Sequence, residues 1–191
     1  MKHILTITTL VVASVLVTTV VSAADFTLRS KALKPGAAIG TEHYSNNAGC
    51  SGGNVMPDLE WSNAPKDTKS FAVTLFDKDA PTGSGFWHWV AYDIPADTTG
   101  LPGGATGGML PAGTVEGNTD LGKPGFFGPC PPAGRQHTYL YTVHALKVAK
   151  LPVDKGVSPA TVGFFLWQNG LAKATFTVQG KRTITLAKRR G

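Results

Sequence analysis

The spacing of glycine and proline limits the fold of this 191-residue chain more than any other feature. The sequence contains 23 Gly and 13 Pro, scattered without a period. Few windows free of both are long enough for a helix, because proline breaks a helix and glycine weakens it. This pattern excludes collagen and makes an all-helical bundle a poor fit. We therefore expect one loop-rich, mainly β domain, for which a hydrophobic fraction of 42% supplies the core.

The first 23 residues are typical of a secretory signal peptide rather than of a folded domain. A lysine and a histidine precede the uncharged run Ile4–Val21, and small residues follow it. We expect cleavage after Ala23 or Ala24 and a periplasmic or secreted product. A single domain over 24–191 would remain, ending in a short basic tail. The alternative is an uncleaved membrane anchor, because the run is about long enough to span a bilayer.

The sequence contains two cysteines, Cys50 and Cys130. If the protein is exported, they meet an oxidising environment. In an oxidising compartment, two cysteines in one domain are more often paired than free. We therefore predict a disulfide that joins two loops rich in Gly and Pro, 49–53 and 128–132. Two free thiols are the alternative.

Residues that favour β-structure are concentrated in three strong strands. These are Ser70–Asp77, Phe86–Ile94 and His137–Leu146, which are rich in β-branched and aromatic residues. Phe26–Leu28 predicts a weaker strand at a sheet edge. The segment Pro95–Pro132 contains no predicted element.

The C-terminal part of the chain predicts one helix and two short strands. Ser158 reads as an N-cap because a proline follows it at the first helical position. We expect a helix over Ala160–Lys173. Short strands over Phe176–Val178 and Thr183–Leu186 follow, joined by a turn over 179–182.

Ionisable side chains gather at the three strong strands. Asp77 ends the first of them and Asp79 follows two residues later, while His88 lies within the aromatic second strand. His137 and Tyr139 are two residues apart, so they project from the same face of the third strand. Each feature also has a structural interpretation, as a core histidine or as an Asp that caps a turn.

The loop Gly128–Pro132 is predicted to be stiff and to have few backbone N–H donors. Three of its five residues are proline, which leaves the N–H groups of Gly128 and Cys130. Two imidazoles, a phenol and such a loop suit a small oxyanion such as phosphate. An Asp beside a His would fix the tautomer of the imidazole and raise its pKa. An Asp could equally accept from the ammonium group of a zwitterionic ligand.

These motifs resemble those of the phosphatidylethanolamine-binding protein (PEBP) family. Asp77–Pro81 is similar to the D-P-D-A-P motif of that family, and Gly128–Pro132 followed by His137–Tyr139 is similar to its G-x-x-P-P and H-R-Y motifs. Cys50–Asn54 and Thr82–Trp89 resemble the bacterial Raf-kinase-inhibitor-like (YbhB/YbcL) branch. The resemblance covers nearly the whole chain after the signal segment.

The resemblance implies a large central antiparallel sheet packed on a smaller one, with a helix near the C-terminus. It also implies a pocket, free of metal and of any cofactor, for phosphate-like anions or phosphoethanolamine headgroups. Asp79 would hold the pocket residues in place without contacting the ligand. Lys78 and Thr138 depart from the family motifs, and residue 138 should face away from the pocket. Carried over by position, the residues of the pocket are Asp77, Ala80, Pro81, His88, Cys130, Pro132, His137 and Tyr139.

We expect an exported binding protein, with modulation of a partner protein as a further role, rather than an enzyme. Ligand binding should strengthen below about pH 6.5, where free imidazoles gain a proton. One alternative is an inhibitor of an exported protease. The net charge of +6 permits an acidic partner without indicating nucleic acid, and no membrane span is expected after signal cleavage. A metal-dependent hydrolase is the other alternative; its ligands would be Asp77, Asp79, His88 and His137.

Overall fold

Two antiparallel sheets and one α-helix make up the part of the chain that the structure, a computed structural model, describes: residues 24–104 and 109–183. The predicted signal peptide lies outside these residues. In chain order the elements are β1 (Thr27–Arg29), a 3-10 turn (Thr41–His43), β2 (Leu59–Ser62), β3 (Ser70–Asp77), β4 (Phe86–Pro95), β5 (Gly100–Leu101), β6 (Val115–Glu116), β7 (Gln136–Leu146), α1 (Pro159–Asn169) and β8 (Gly170–Lys181).

The larger sheet has the strand order β6-β4-β3-β7-β8, so the three strong predicted strands lie side by side at its centre. In β3 every residue except Phe76 is buried, as expected for a strand covered on both faces. The register places Asp77 opposite Phe86 of β4 and opposite Tyr139 of β7. The polar residues at these strand ends therefore meet at one end of the sheet.

Each face of the larger sheet has its own hydrophobic core. One face packs on the smaller sheet, of order β1-β2-β5, through side chains such as Trp61, Phe71 and Tyr141. The other face packs on α1 through Ala72 and Leu166, among other residues. This architecture confirms the predicted mainly β fold of two packed sheets with a C-terminal helix. No helix among the described residues is long and apolar enough to cross a membrane.

The predicted C-terminal end of the helix is wrong by one turn. The Ser158 side chain caps the helix as expected, by accepting the Thr161 N–H, but α1 ends at Asn169 and not at Lys173. The chain continues directly into the twelve-residue strand β8, which pairs with β7 along almost its whole length. This pairing overrides local helix propensity, which is a weak determinant.

The turn predicted over 179–182 is also wrong, because β8 runs without a break to Lys181 and Gly180 pairs with His137. Most of the predicted strand Thr183–Leu186 lies outside the described residues. The sequence also missed β2, although its burial alternates regularly, and it missed the two-residue strands β5 and β6. Such short segments carry too few residues for a periodic signal. The predicted edge strand is present as β1, shifted by one residue.

Candidate functional site

A cavity of about 220 Å³ opens where β3, β4 and β7 end beside the 119–132 loop. Two groups of residues form its walls. Residues predicted from the sequence are Asp77, Ala80, Pro81, His88, Cys130, Pro132 and His137. The other lining residues, which sequence reasoning missed, are Ala48, Thr82, Phe86, Leu121 and Phe127.

The polar floor of the cavity is built on the buried carboxylate of Asp77. Its Oδ2 accepts a hydrogen bond of 2.7 Å from Nδ1 of His137, which is also buried. Its Oδ1 accepts the backbone N–H of Asp79 at 2.9 Å and so closes the turn after β3. The structural interpretation of Asp77 as a turn cap and its interpretation as a partner of histidine are therefore both correct.

His88 is the second imidazole of the floor, and aromatic rings surround it. Its ring stacks on that of Phe127 at 5.1 Å between centroids and contacts the ring of Phe86 at 4.9 Å. Its Nδ1 donates to the Phe127 carbonyl oxygen at 2.9 Å, while its Nε2 lies 4.0 Å from Oδ2 of Asp77. Burial lowers the pKa of His88 to about 4, although the Asp77 charge opposes that shift. His88 therefore gains a proton at a lower pH than a free imidazole does, while stronger ligand binding below pH 6.5 stays a prediction.

Asn54 orients the loop that carries the Phe127 carbonyl. Its side-chain amide donates to the Phe126 carbonyl oxygen at 3.1 Å, and its Oδ1 accepts the Gly128 N–H at 2.8 Å. The backbone of Asn54 has a φ of 52°, a left-handed conformation that Asn tolerates better than most residues. Asn54 was recognised only as part of a family-like motif. No role could be predicted for it, because its partners lie more than seventy residues away in the chain.

The predicted Cys50–Cys130 disulfide is present and fastens one wall of the cavity to the 49–53 loop. Arg182, which sequence reasoning missed, packs its guanidinium against this junction. One of its nitrogens lies 3.2 Å from Sγ of Cys50, and the other donates to the Gly49 carbonyl oxygen at 2.8 Å. The wall is thus held by one covalent bond and one cation.

Tyr139 lies beneath the cavity rather than in its lining. The residue is fully buried, and its hydroxyl makes no hydrogen bond to any described residue. The Asp77 carboxylate and the Cys130 backbone N–H are neighbours of this hydroxyl. Burial, followed by the charge of Asp77, raises the pKa of Tyr139 above its ordinary value. Direct contact of this side chain with a ligand stays a prediction.

Asp79 also lies outside the lining, in the supporting position predicted for it. Its Oδ2 accepts the backbone N–H of Thr138 at 2.7 Å, which ties the turn after β3 to the start of β7. Lys78 forms an ion pair with Asp79, with 3.3 Å between Nζ and Oδ1, instead of reaching into the cavity. The Thr138 hydroxyl contacts Gln179 on β8, so residue 138 does point away from the cavity.

The lining combines a polar floor with an apolar mouth, and none of the described residues that line it is Lys or Arg. The carboxylate of Asp77 and the imidazoles of His88 and His137 form the floor. Among residues 24–104 and 109–183, no cluster of three or more His, Cys, Asp and Glu could hold a metal ion. This arrangement suits a small polar group at the floor. The apolar side chains include those of Phe86 and Leu121.

Comparison with known proteins agrees with this geometry. A family model described as phosphatidylethanolamine-binding protein matches residues 29–181. The Escherichia coli (strain K12) protein YbcL is 47% identical over 175 residues, which cover 88% of this chain and 96% of YbcL. YbhB of the same strain is 45% identical over 152 residues, covering 78% of this chain and 96% of YbhB. The chain therefore belongs to the phosphatidylethanolamine-binding protein family.

A solved structure and a more distant relative extend the comparison. The crystal structure of Escherichia coli YbcL, described as a new member of the mammalian PEBP family, matches with a TM-score of 0.80 and 46% identity. That match covers 85% of this chain and 100% of the other. LppC of Mycobacterium tuberculosis (strain ATCC 25618 / H37Rv), whose name includes the word lipoprotein, is 34% identical over 133 residues. These residues cover 69% of this chain and 63% of LppC.

Proposed function

We propose that the cavity binds a phosphate-type oxyanion, either free or as part of a phosphoethanolamine headgroup. The observation that carries this proposal is the pair of imidazoles on the cavity floor. Both rings line the cavity, and each is anchored through its Nδ1. A ligand that forms a hydrogen bond with rings already held in place loses little free energy to their ordering.

The surroundings of the two imidazoles favour a small ligand held in one orientation. The Asp77 carboxylate fixes the ring of His137, and the stacked ring of Phe127 fixes that of His88. A charge-assisted hydrogen bond to such a group contributes about 1.5–3 kcal/mol. Ordering and desolvation offset much of this gain, so we expect dissociation constants in roughly the micromolar to millimolar range.

Titration of inorganic phosphate and O-phosphoethanolamine, followed by NMR or calorimetry, tests the proposal. His88→Ala and His137→Ala should each weaken binding about tenfold or more, because each removes one imidazole from the floor. The matched control is His144→Ala. His144 lies on the opposite face of β7, where it neighbours Thr74 and does not line the cavity. If all three variants bind like the unmodified protein, the cavity is not the binding site.

Export is the second part of the proposal. The signal-like segment at residues 1–23 and the 34% identity to LppC, which is named as a lipoprotein, both support it. Mass spectrometry of the protein purified from its own source would read the N-terminus directly, and a chain that still begins at Met1 would contradict cleavage. Inhibition of an exported protease and modulation of a partner protein stay predictions.

A further inference from the structure

We propose that the cavity takes up its oxyanion together with one proton, and that it therefore prefers phosphate monoesters and inorganic phosphate to phosphate diesters and sulfate. This inference rests on the proposed function, because it concerns the same cavity. Beyond the proposed function, it specifies the chemical class of oxyanion that the cavity prefers and the effect of pH on binding.

The hydrogen bonds of the floor determine the tautomer of each imidazole. The Phe127 carbonyl oxygen can only accept, so the proton on His88 lies on Nδ1. An ionised Asp77 carboxylate likewise only accepts, so His137 carries a proton on Nδ1 as well. A neutral imidazole has a single N–H. Because the pKa of His88 is about 4, its ring is neutral at pH 7 and its Nε2 is a hydrogen-bond acceptor.

These acceptors lie close together at the floor. Nε2 of His88 is 4.0 Å from Oδ2 of Asp77, a carboxylate oxygen that already accepts from His137. A fully deprotonated oxyanion has only acceptor atoms, so its oxygens would be repelled by the lone pairs of Nε2 and Oδ2. An oxyanion that carries a proton can instead donate its O–H to Nε2, and this hydrogen bond distinguishes the two forms of the ligand.

The groups that face His88 do not raise its pKa enough to protonate Nε2 at neutral pH. Asp77 on β3 and the backbone of Phe127 and Gly128 attract a proton to the ring. On β7, His137 is hydrogen-bonded to Asp77 through Nδ1, and Tyr139 meets the His88 ring edge-on. The 119–132 loop contributes the Phe127 carbonyl and ring, while its Asp120 is bound to a backbone N–H of β4. Burial outweighs these charges and keeps the pKa of His88 at about 4.

Inorganic phosphate still carries an O–H as its dianion and can donate it directly. For a fully ionised monoester, diester or sulfate, the missing proton comes from solution when the ligand binds, either on the ligand or on Nε2 of His88. A phosphate monoester has its second pKa near 6, so its monoanion is accessible at neutral pH. A phosphate diester has no second ionisable oxygen, and sulfate is fully ionised at neutral pH. Both would have to protonate a buried imidazole instead, which opposes binding. Monoesters and inorganic phosphate should consequently bind about tenfold or more tightly than the diester and sulfate at pH 7.

Calorimetric titration of the full chain with four probes tests this inference. The probes are inorganic phosphate, O-phosphoethanolamine, its diester glycerophosphoethanolamine, and sulfate. Each is measured at pH 6, 7 and 8 in two buffers of different ionisation enthalpy, which reports the protons taken up. We expect uptake of about one proton per monoester at pH 8, and an affinity for total monoester that falls up to about tenfold from pH 7 to pH 8.

A pair of variants assigns the effect to the cavity. His88→Gln replaces the titrating ring by an amide that has a donor at every pH, so it should weaken the preference for monoesters over sulfate and reduce proton uptake. His144→Gln is the matched control. Its pKa is also lowered to about 4 by burial, but the residue lies outside the cavity, so both quantities should stay unchanged.

The outcomes separate this inference from the function on which it rests. Diester or sulfate binding as tight as monoester binding, without proton uptake, would overturn the inference and leave anion binding intact. A diester that binds more tightly than the monoester would also overturn it and would favour a lipid headgroup as the ligand. If none of the four probes binds, both the proposed function and this inference fail. Because the unmodified protein gives these results, they do not depend on whether His88→Gln folds.

Discussion

Removal of the Cys50–Cys130 disulfide should lower the free energy of unfolding by about 4.5 kcal/mol. The bond closes a segment with a sequence separation of 80 residues. In the chain-entropy treatment, loops of about 15 and about 100 residues give about 3 and about 4.7 kcal/mol, so this loop lies near the upper value. The effect arises mainly in the unfolded chain, which becomes freer when the link is cut.

Urea denaturation of the double variant Cys50→Ala/Cys130→Ala, compared with the unmodified protein, measures this quantity. The midpoint should fall strongly, and the unmodified protein in reductant should match the double variant. Arg182→Met is the matched control, because it removes the cation at the same junction and keeps the link. It should cost about 1.5–3 kcal/mol, the usual contribution of a hydrogen bond to a charged group, and therefore less than loss of the disulfide.

The disulfide should also affect ligand binding, because Cys130 lines the cavity. The double variant should therefore bind phosphate more weakly even at temperatures where it is fully folded. A double variant within about 1 kcal/mol of the unmodified protein would refute the entropic reasoning. It would show that the 49–53 and 128–132 loops stay close in the unfolded chain or are held there by other contacts.

Two further predictions concern the loop and the buried imidazoles. Asn54→Ala removes the side-chain bonds to the 126–128 backbone and should lower the free energy of unfolding by about 1–3 kcal/mol. It should also weaken phosphate binding, which urea denaturation and calorimetry would show; unchanged affinity would contradict its role in positioning the Phe127 carbonyl. Burial lowers the pKa of both His88 and His144 to about 4, so the unfolded chain binds more protons at mildly acidic pH. Stability should therefore fall as pH drops from about 6.5 to about 4, and His88→Gln should flatten the pH dependence of urea midpoints.

Local sequence determined the three central strands, and family motifs indicated part of the cavity lining. The runs that became β3, β4 and β7 contain enough β-forming residues to be recognised without tertiary information. The resemblance to family motifs brought seven lining residues together from four separate segments. The spacing of His137 and Tyr139 placed both on one strand face, as the pairing of β7 shows.

Tertiary structure alone decided the features that depend on distant partners. β8 begins at Gly170 because β7 offers it a long edge, against a local preference for helix. Asn54 and Arg182 acquire their roles from loops that lie far away in the chain. The protonation of His88 follows from the rings and the carbonyl around it, since desolvation depends on burial and not on neighbours in sequence. The sequence could thus name seven of the lining residues, whereas the charge and hydrogen-bonding direction of the polar ones were set by the fold that encloses them.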